Sequence, residues 1–321
     1  MLAGHFGGEE VYKIARNVER ASSSGHVAML FAAEKWWMKP FSFLARYSFL
    51  MDYILETNMP LLGYGAGDTA DKRLPVASLY ARHPYNKMLF QADLEGVYLV
   101  IREWEVDAFC DTISDDEEIY LYRADASTPR VPGIYKQFRV HTKPMVPVKD
   151  PYTHQRCPKC GVPKPISVLW WDPRSGVIVN KDTRKRVVLW PCYALERLLG
   201  TLTVQLGEEA ETLITNTVKR YQKDSILSGG VGFTPEEKLE FVEAGKEGQY
   251  RLLLRHLACM GFGHGEALLQ NGNGVEIKMT NALIPVMTSG LIAGMVEVLE
   301  RKVVMVSLEE EEDSTTYTLK L

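Results

Sequence analysis

The sequence has no apolar run long enough to cross a bilayer. Its most apolar early stretch, Phe41 to Leu55 (FSFLARYSFLMDYIL), carries Arg46 and Asp52 and falls short of the roughly 20 residues a spanning helix needs. A buried or partner-facing helix is expected there, and no membrane span. Cysteine is scarce: five residues, an odd number at irregular spacing, which argues against a disulfide framework and for a reducing, cytoplasmic compartment. The opening MLAGHFGGEEVYK lacks a basic segment ahead of an apolar core, so no secretory signal is expected. Charge of one sign is lacking too. With 37 Lys and Arg against 41 Asp and Glu, the chain has no electrostatic footprint of a nucleic-acid binder. Nucleotide loops are also missing. Gly63, Gly65 and Gly67 follow no clear strand and have no Gly-Lys-Ser/Thr ending, and Gly261-Phe262-Gly263-His264-Gly265 follows a helix where a dinucleotide loop follows a strand.

What is present is the composition of an ordinary globular protein, 46% apolar and 24% charged over 321 residues, about two domains' worth. In the first part, Val11, Ile14, Ala15 and Val18 stand at helical spacing, and residues 28–37 and 41–56 read as further helices around Pro40. The segment after Pro60 reads as a loop. Residues 94–104 (LEGVYLVIREW), 118–122 and 134–140 read as strands. Residues 142–165 hold six prolines, a natural boundary. The chain accordingly divides into an N-terminal helical and β region (1–145), a Pro-rich linker (146–166) and a second domain (167–321).

In the second domain the turn Asp172-Pro173-Arg174-Ser175-Gly176 sits between short apolar runs as a hairpin, with 186–190 as a third strand. Leu195, Leu198, Leu199 and Leu202 share one helix face. Leu213, Ile214, Thr217 and Val218 share another. Thr234-Pro235-Glu236-Glu237 opens a further helix. The turn Asn271-Gly272-Asn273-Gly274 precedes alternating Val275, Ile277 and Met279, the pattern of a second hairpin. Residues 283–299 read as a helix, and 302–308 and 315–321 as paired strands. The expected class is α+β, one antiparallel sheet with helices packed on it.

The linker contains HQRCPKCGVPKP, half of a zinc knuckle. A closed structural site needs four ligands, and the residues able to complete one around Cys157 and Cys160 are His154 and Cys192, with His141 or the same Cys pair of a symmetry mate as alternatives. One structural zinc pinning the linker is one reading; a metal-free turn is the other. A redox pair is disfavoured, because Pro163 and Pro165 forbid the helix that would activate the thiol.

The second domain resembles the 4-vinyl-reductase domain family, and within it the sensor domains of aromatic-responsive bacterial activators. The likeness is carried by Leu169-Trp170-Trp171-Asp172-Pro173-Arg174-Ser175-Gly176-Val177-Ile178, by Arg186 to Leu189, by the break at Leu206-Gly207-Glu208-Glu209-Ala210, and by Gly290-Leu291-Ile292-Ala293-Gly294 before Val303 to Val306. It covers residues 167–308. The resemblance implies a fold similar to that of TRAPP trafficking subunits, dimerisation, and a small apolar ligand enclosed between helices and sheet. The family's C-terminal zinc cysteines have no counterpart in Ser307 to Tyr317, and the Cys-Trp before its glycine helix is Pro285-Val286 here. No ATPase or DNA-binding module follows the matched region, so the chain is not expected to activate transcription alone.

A sensor or adaptor that binds a hydrophobic or aromatic small molecule is therefore the expected function. The expected pocket walls are Trp170, Tyr193, Tyr221, Phe262, Met279, Met287 and Met295, since ligand cavities are mostly apolar. A homodimer or larger complex is the expected assembly. The alternative is an accessory subunit of an enzyme complex in aromatic or tetrapyrrole metabolism. His256, Cys259, His264 and Glu266 could supply a catalytic pair, but such a pair requires hydrogen-bond reach, and a non-enzymatic role is favoured.

Overall fold

The protein is described here from a computed structural model covering residues 1–32, 56–57, 59–71, 76–128, 145–149, 152, 156–181, 184–228, 235–270 and 274–321. The expected helix over 41–55, the strand over 134–140, His141, His154, Thr234 and the turn residues 271–273 lie outside them. The chain is α+β, with antiparallel sheets and helices packed on them. Its helices are α1 (Leu2–Phe6), α2 (Gly8–Ala32), α3 (Met59–Leu62), α4 (Lys87–Ile101), α5 (Lys164–Ser167), α6 (Cys192–Leu206), α7 (Glu208–Leu227), α8 (Pro235–Glu243), α9 (Lys246–Cys259) and α10 (Pro285–Glu300). The strands are β1 (Ala66–Asp71), β2 (Val76–Arg82), β3 (Val106–Ser114), β4 (Ile119–Ala126), β5 (Leu169–Asp172), β6 (Val177–Asn180), β7 (Arg186–Val187), β8 (His264–Gln270), β9 (Gly274–Thr280), β10 (Met305–Glu310) and β11 (Ser314–Lys320). Among the described residues no helix is long and apolar enough to cross a membrane.

The apolar run at 94–101, expected as a strand, is the second half of α4. Asn86 caps this helix, its side chain accepting from the N–H groups of Met88 and Leu89, and every residue from Ala92 to Ile101 is buried. A helix buried on all sides loses the polar stripe that marks amphipathic helices, so the β-rich composition of VYLVI dominates the reading. The expected loop after Pro60 contains β1, and β2, β3 and β4 complete a sheet of order β1-β2-β4-β3.

The two halves repeat one another. β1-β2-α4-β3-β4 has sheet order β1-β2-β4-β3; β8-β9-α10-β10-β11 has order β8-β9-β11-β10, the same hairpin-helix-hairpin topology. The likeness extends to single residues at a constant interval of sequence. Gly65 (φ 109) and Gly263 (φ 106) take the same left-handed conformation, as do His83 (φ 49) and Asn281 (φ 55). A Cβ on Gly65 would lie 2.7 Å from the Arg82 carbonyl and 2.8 Å from that of His83, and one on Gly263 2.8 Å from those of Thr280 and Asn281. Only glycine fits a backbone approach this close. Tyr64 N–H donates to Met59 O at 3.0 Å, and Phe262 N–H to Leu257 O at 3.0 Å; Tyr85 N–H donates to Tyr64 O at 3.1 Å, and Leu283 N–H to Phe262 O at 3.4 Å.

Each half buries its central helix against the helix that opens it, α2 on α4 and α7 on α10. Glycine permits the contact in both. A Cβ on Gly96 would meet Arg20 O at 2.5 Å and the Ser23 side chain at 2.8 Å; one on Gly294 would meet Lys219 O at 2.6 Å and the Gln222 side chain at 2.9 Å. Buried glutamates add polar ties. Arg16 Nε donates to Glu95 at 3.1 Å, and Glu95 accepts from Ala108 N–H at the start of β3 at 3.0 Å. Glu297 binds Lys219 and Lys223 of α7 at 3.1 and 2.6 Å and accepts from Val304 N–H at 3.3 Å.

The segment between the halves does not join the second sheet. β5, β6 and β7 form a sheet of their own, where one sheet was expected for residues 167–321. It docks on the loop of the first half: Gly65 N–H donates to Gly176 O at 3.0 Å, Leu189 N–H to Leu62 O at 2.9 Å, and the Arg186 guanidinium to the carbonyls of Gly63, Pro84 and His83. Helix α6 then lies on α2, where Leu198 and Leu202 pack with Ile14 and Val18. In return α1 reaches α7 through His5 and Glu209. Gly7 and Gly207, both at positive φ, stand at the two helix junctions.

Candidate functional site

Where α2, α4 and the start of α6 meet, buried polar side chains gather around a cavity of about 50 Å³. Glu19 and Ser22 come from α2, Asp93 from α4, Tyr64 from the loop before β1, and Trp190 and Tyr193 from the turn into α6. Glu19 and Asp93 are 2% and 3% exposed. Tyr85 OH donates to Asp93 Oδ2 at 2.9 Å and lies 3.5 Å from Glu19 Oε1. Burial raises the pKa of both carboxyls, and for Asp93 the charge of nearby Glu19 raises it further. Two carboxyls so placed resist ionising together, since both ionised would repel in a low-dielectric site. Around them, burial raises the phenol pKa values of Tyr64, Tyr85 and Tyr193 and lowers that of His26, whose Nδ1 lies 3.1 Å from Tyr193 OH.

Part of this polar surface is unused. Glu19 Oε2, Ser22 Oγ and the indole N–H of Trp190 are buried without a hydrogen-bond partner among the described residues. The Trp190 N–H does face Glu19 closely enough to favour its ionised form. Buried polar groups ordinarily find partners, so Ser22 Oγ with none, beside a Glu19–Trp190 approach short of hydrogen-bond geometry, marks a place suited to a bound molecule.

The second half supplies an internal comparison. Counting from Gly96 and Gly294 and from their contacts Arg20 O and Lys219 O, Asp93 corresponds to Leu291 and Glu19 to Val218. Tyr64 and Tyr85 correspond to Phe262 and Leu283 by their shared hydrogen bonds. Leu291 lies in the apolar core with Val218 and Phe262 packed against it. The same fold thus closes over apolar side chains in one half and over a carboxyl pair in the other.

Of the seven residues expected to wall a pocket, Tyr193 lines this cavity. Met279 and Met295 are core residues of the second half, with Phe262 and Met287 packed against that core, and Trp170 and Tyr221 are 52% and 57% exposed. Sequence reasoning missed Glu19, Ser22, Asp93 and Tyr64. The signal that could have found them is the pair Leu62-Gly63-Tyr64-Gly65-Ala66-Gly67 and Met260-Gly261-Phe262-Gly263-His264-Gly265. Aligned, they set the two halves in register and place Asp93 opposite Leu291; Glu19 falls opposite Val218 only after a one-residue shift.

Cys157 and Cys160 share a turn closed by Gly161 N–H to Cys157 O at 2.9 Å and Cys157 N–H to Val162 O at 2.8 Å. Hydrogen bonds from the Cys160 and Lys159 backbone, and from the Cys160 side chain, lower the Cys157 thiol pKa. Cys192 begins α6, its thiol pKa raised by burial. Among the described residues no three His, Cys, Asp or Glu side chains are grouped to hold a metal, so Cys192 is not brought to the Cys157 and Cys160 pair.

No protein-family model matches the chain, so the 4-vinyl-reductase resemblance rests on the motifs quoted above. No curated protein matches it either. Among solved structures it is similar to the phenol-responsive sensory domain of the transcription activator PoxR with phenol, at 15% identity and a TM-score of 0.38, over 48% of this chain and 85% of that one.

Proposed function

We propose that the chain is a small-molecule-binding sensor or adaptor protein that seats a small, mostly apolar molecule by one polar end in the cavity between α2, α4 and α6. The observation that carries this reading is the difference between the halves. Val218 and Leu291 stand where Glu19 and Asp93 do, so the fold itself has no need of buried acids, and burying them costs stability. The remaining lining, with Val27, Met59 and Val97, is what an apolar ligand body requires. Ser22→Leu tests it. The longer side chain fills a cavity of about 50 Å³ and replaces a buried hydroxyl that has no partner among the described residues. The variant is expected to fold with unchanged circular dichroism and to lose, at least tenfold, the affinity for small aromatic or aliphatic probes measured by calorimetry. Retained affinity would move the site elsewhere.

We also propose that Cys157 and Cys160 hold a structural zinc, completed by His154 and His141 or by the same pair of a second chain. The lowered Cys157 pKa supports this reading, because thiolate is the ligating form. Metal analysis should find one zinc per chain, or one per two chains if it is shared, and none in Cys160→Ser. A metal-free parent protein would leave the segment a turn.

A further inference from the structure

We propose that the polar end of the ligand is an ammonium group, a primary amine on a small apolar body, held between Glu19 and Asp93 against the rings of Tyr64, Trp190 and Tyr193. The inference rests on the reading of this cavity as a binding site and adds the chemical class of its occupant.

Charge balance is the first support. Once either carboxyl ionises its negative charge is buried, and no cation among the described residues answers it. The arginines of α2 are engaged elsewhere, Arg16 with Glu95 and Arg20 with Glu105 at 2.7 Å. His26, the basic side chain lining the cavity, is held toward its neutral form by burial. A buried charge without a partner is costly, and an opposite charge brought into the same site removes much of that cost.

Hydrogen bonding is the second. Glu19 Oε2 makes no hydrogen bond of normal geometry, with only the Trp190 N–H turned toward its carboxyl, and Ser22 Oγ is a buried hydroxyl 3% exposed, without a partner among the described residues. An ammonium offers three donors and no acceptor, matching Glu19, Asp93 and Ser22 together. Trp190 N–H, already facing Glu19, would steady that carboxylate once it ionises. Aromatic rings around the carboxyls give the cation π-faces as well.

The proposal fixes a proton count. The groups facing the carboxyl pair are His26 of α2, Tyr64 and Tyr85 of the loops and Tyr193 of α6, and none is an anion near neutral pH. As one ammonium enters, the shared proton leaves to solvent, so the carboxyl pair passes from one negative charge to two and the ammonium offsets the charge gained. Affinity should then climb with pH, approaching tenfold per unit below the pKa of the shared proton.

Benzylamine and n-butylamine should be titrated by calorimetry against benzyl alcohol and n-butanol at several pH values, in buffers of different ionisation enthalpy. The expected result is amine binding at least tenfold tighter than its alcohol, with close to one proton released. In Glu19→Gln the preference for amine over alcohol should vanish. Alcohols binding as tightly as amines, or amines binding without proton release, would overturn the ammonium assignment and leave the cavity reading standing. No binding of any of the four would sink both.

Discussion

The double variant Glu19→Val/Asp93→Leu is expected to be more stable than the parent, by about 1–3 kcal/mol at pH 8, the typical cost of burying polar groups without full compensation. The two substitutions copy the second half, where Val218 and Leu291 occupy these positions, so the new side chains have a packing precedent in the same fold. The gain should depend on pH. Both carboxyl pKa values are raised in the folded chain, so between the ordinary carboxylate range and the raised values the folded state holds protons that the unfolded state has released. Parent stability therefore falls as pH rises through that window. The variant lacks the groups and should not show this fall, so the two stability curves should converge toward pH 4. Urea denaturation at pH 4, 6 and 8 measures it. A variant less stable than the parent at pH 8 would mean that the carboxyl pair holds α2 to α4.

Gly96→Ala and Gly294→Ala are expected to destabilise the chain by about 1–3 kcal/mol each, the usual range for overpacking, and Val at either position by more. The added Cβ meets backbone in both cases, Arg20 O at 2.5 Å and Lys219 O at 2.6 Å, and backbone cannot move aside as a side chain tip does. The helices themselves must separate. Because the two glycines belong to different helix pairs, the double substitution should be close to additive. Denaturant midpoints of the three variants test this, and an alanine accepted without loss would show that the helix pair is free to part.

Much of the second half was legible because its elements alternate cleanly with turns: the hairpin at Asp172 to Gly176, the leucine face of α6, the break at Gly207 and the strand pair at the end all stand where the pattern put them. The first half was harder. α4 is buried on every side, and Gly63 to Gly67 looked like loop because glycine carries no periodic signal, though Ala66 and Gly67 begin β1. The candidate site was nearly invisible for another reason. Glu19 sits in a stretch that reads as an amphipathic surface helix, and Asp93 in a stretch that reads as the approach to a strand; acids so placed look solvated. Their burial follows from α2 meeting α4 and from Trp190 and Tyr193 closing over them, contacts made between residues far apart in the chain.

The position of α6 has a consequence for how the molecule is made. A ribosome releases the chain from its N-terminus, and β1 to β4 with α2 and α4 could pair as soon as Ala126 has emerged. Their cavity would still lack the wall that Trp190 and Tyr193 provide, and Ile14 and Val18 would still await Leu198 and Leu202. For the time taken to synthesise the intervening segment, the nascent chain presents an apolar stripe on α2 and an uncovered acidic pair. Translation speed across that segment, set by the messenger RNA, governs how long chaperones have to meet it.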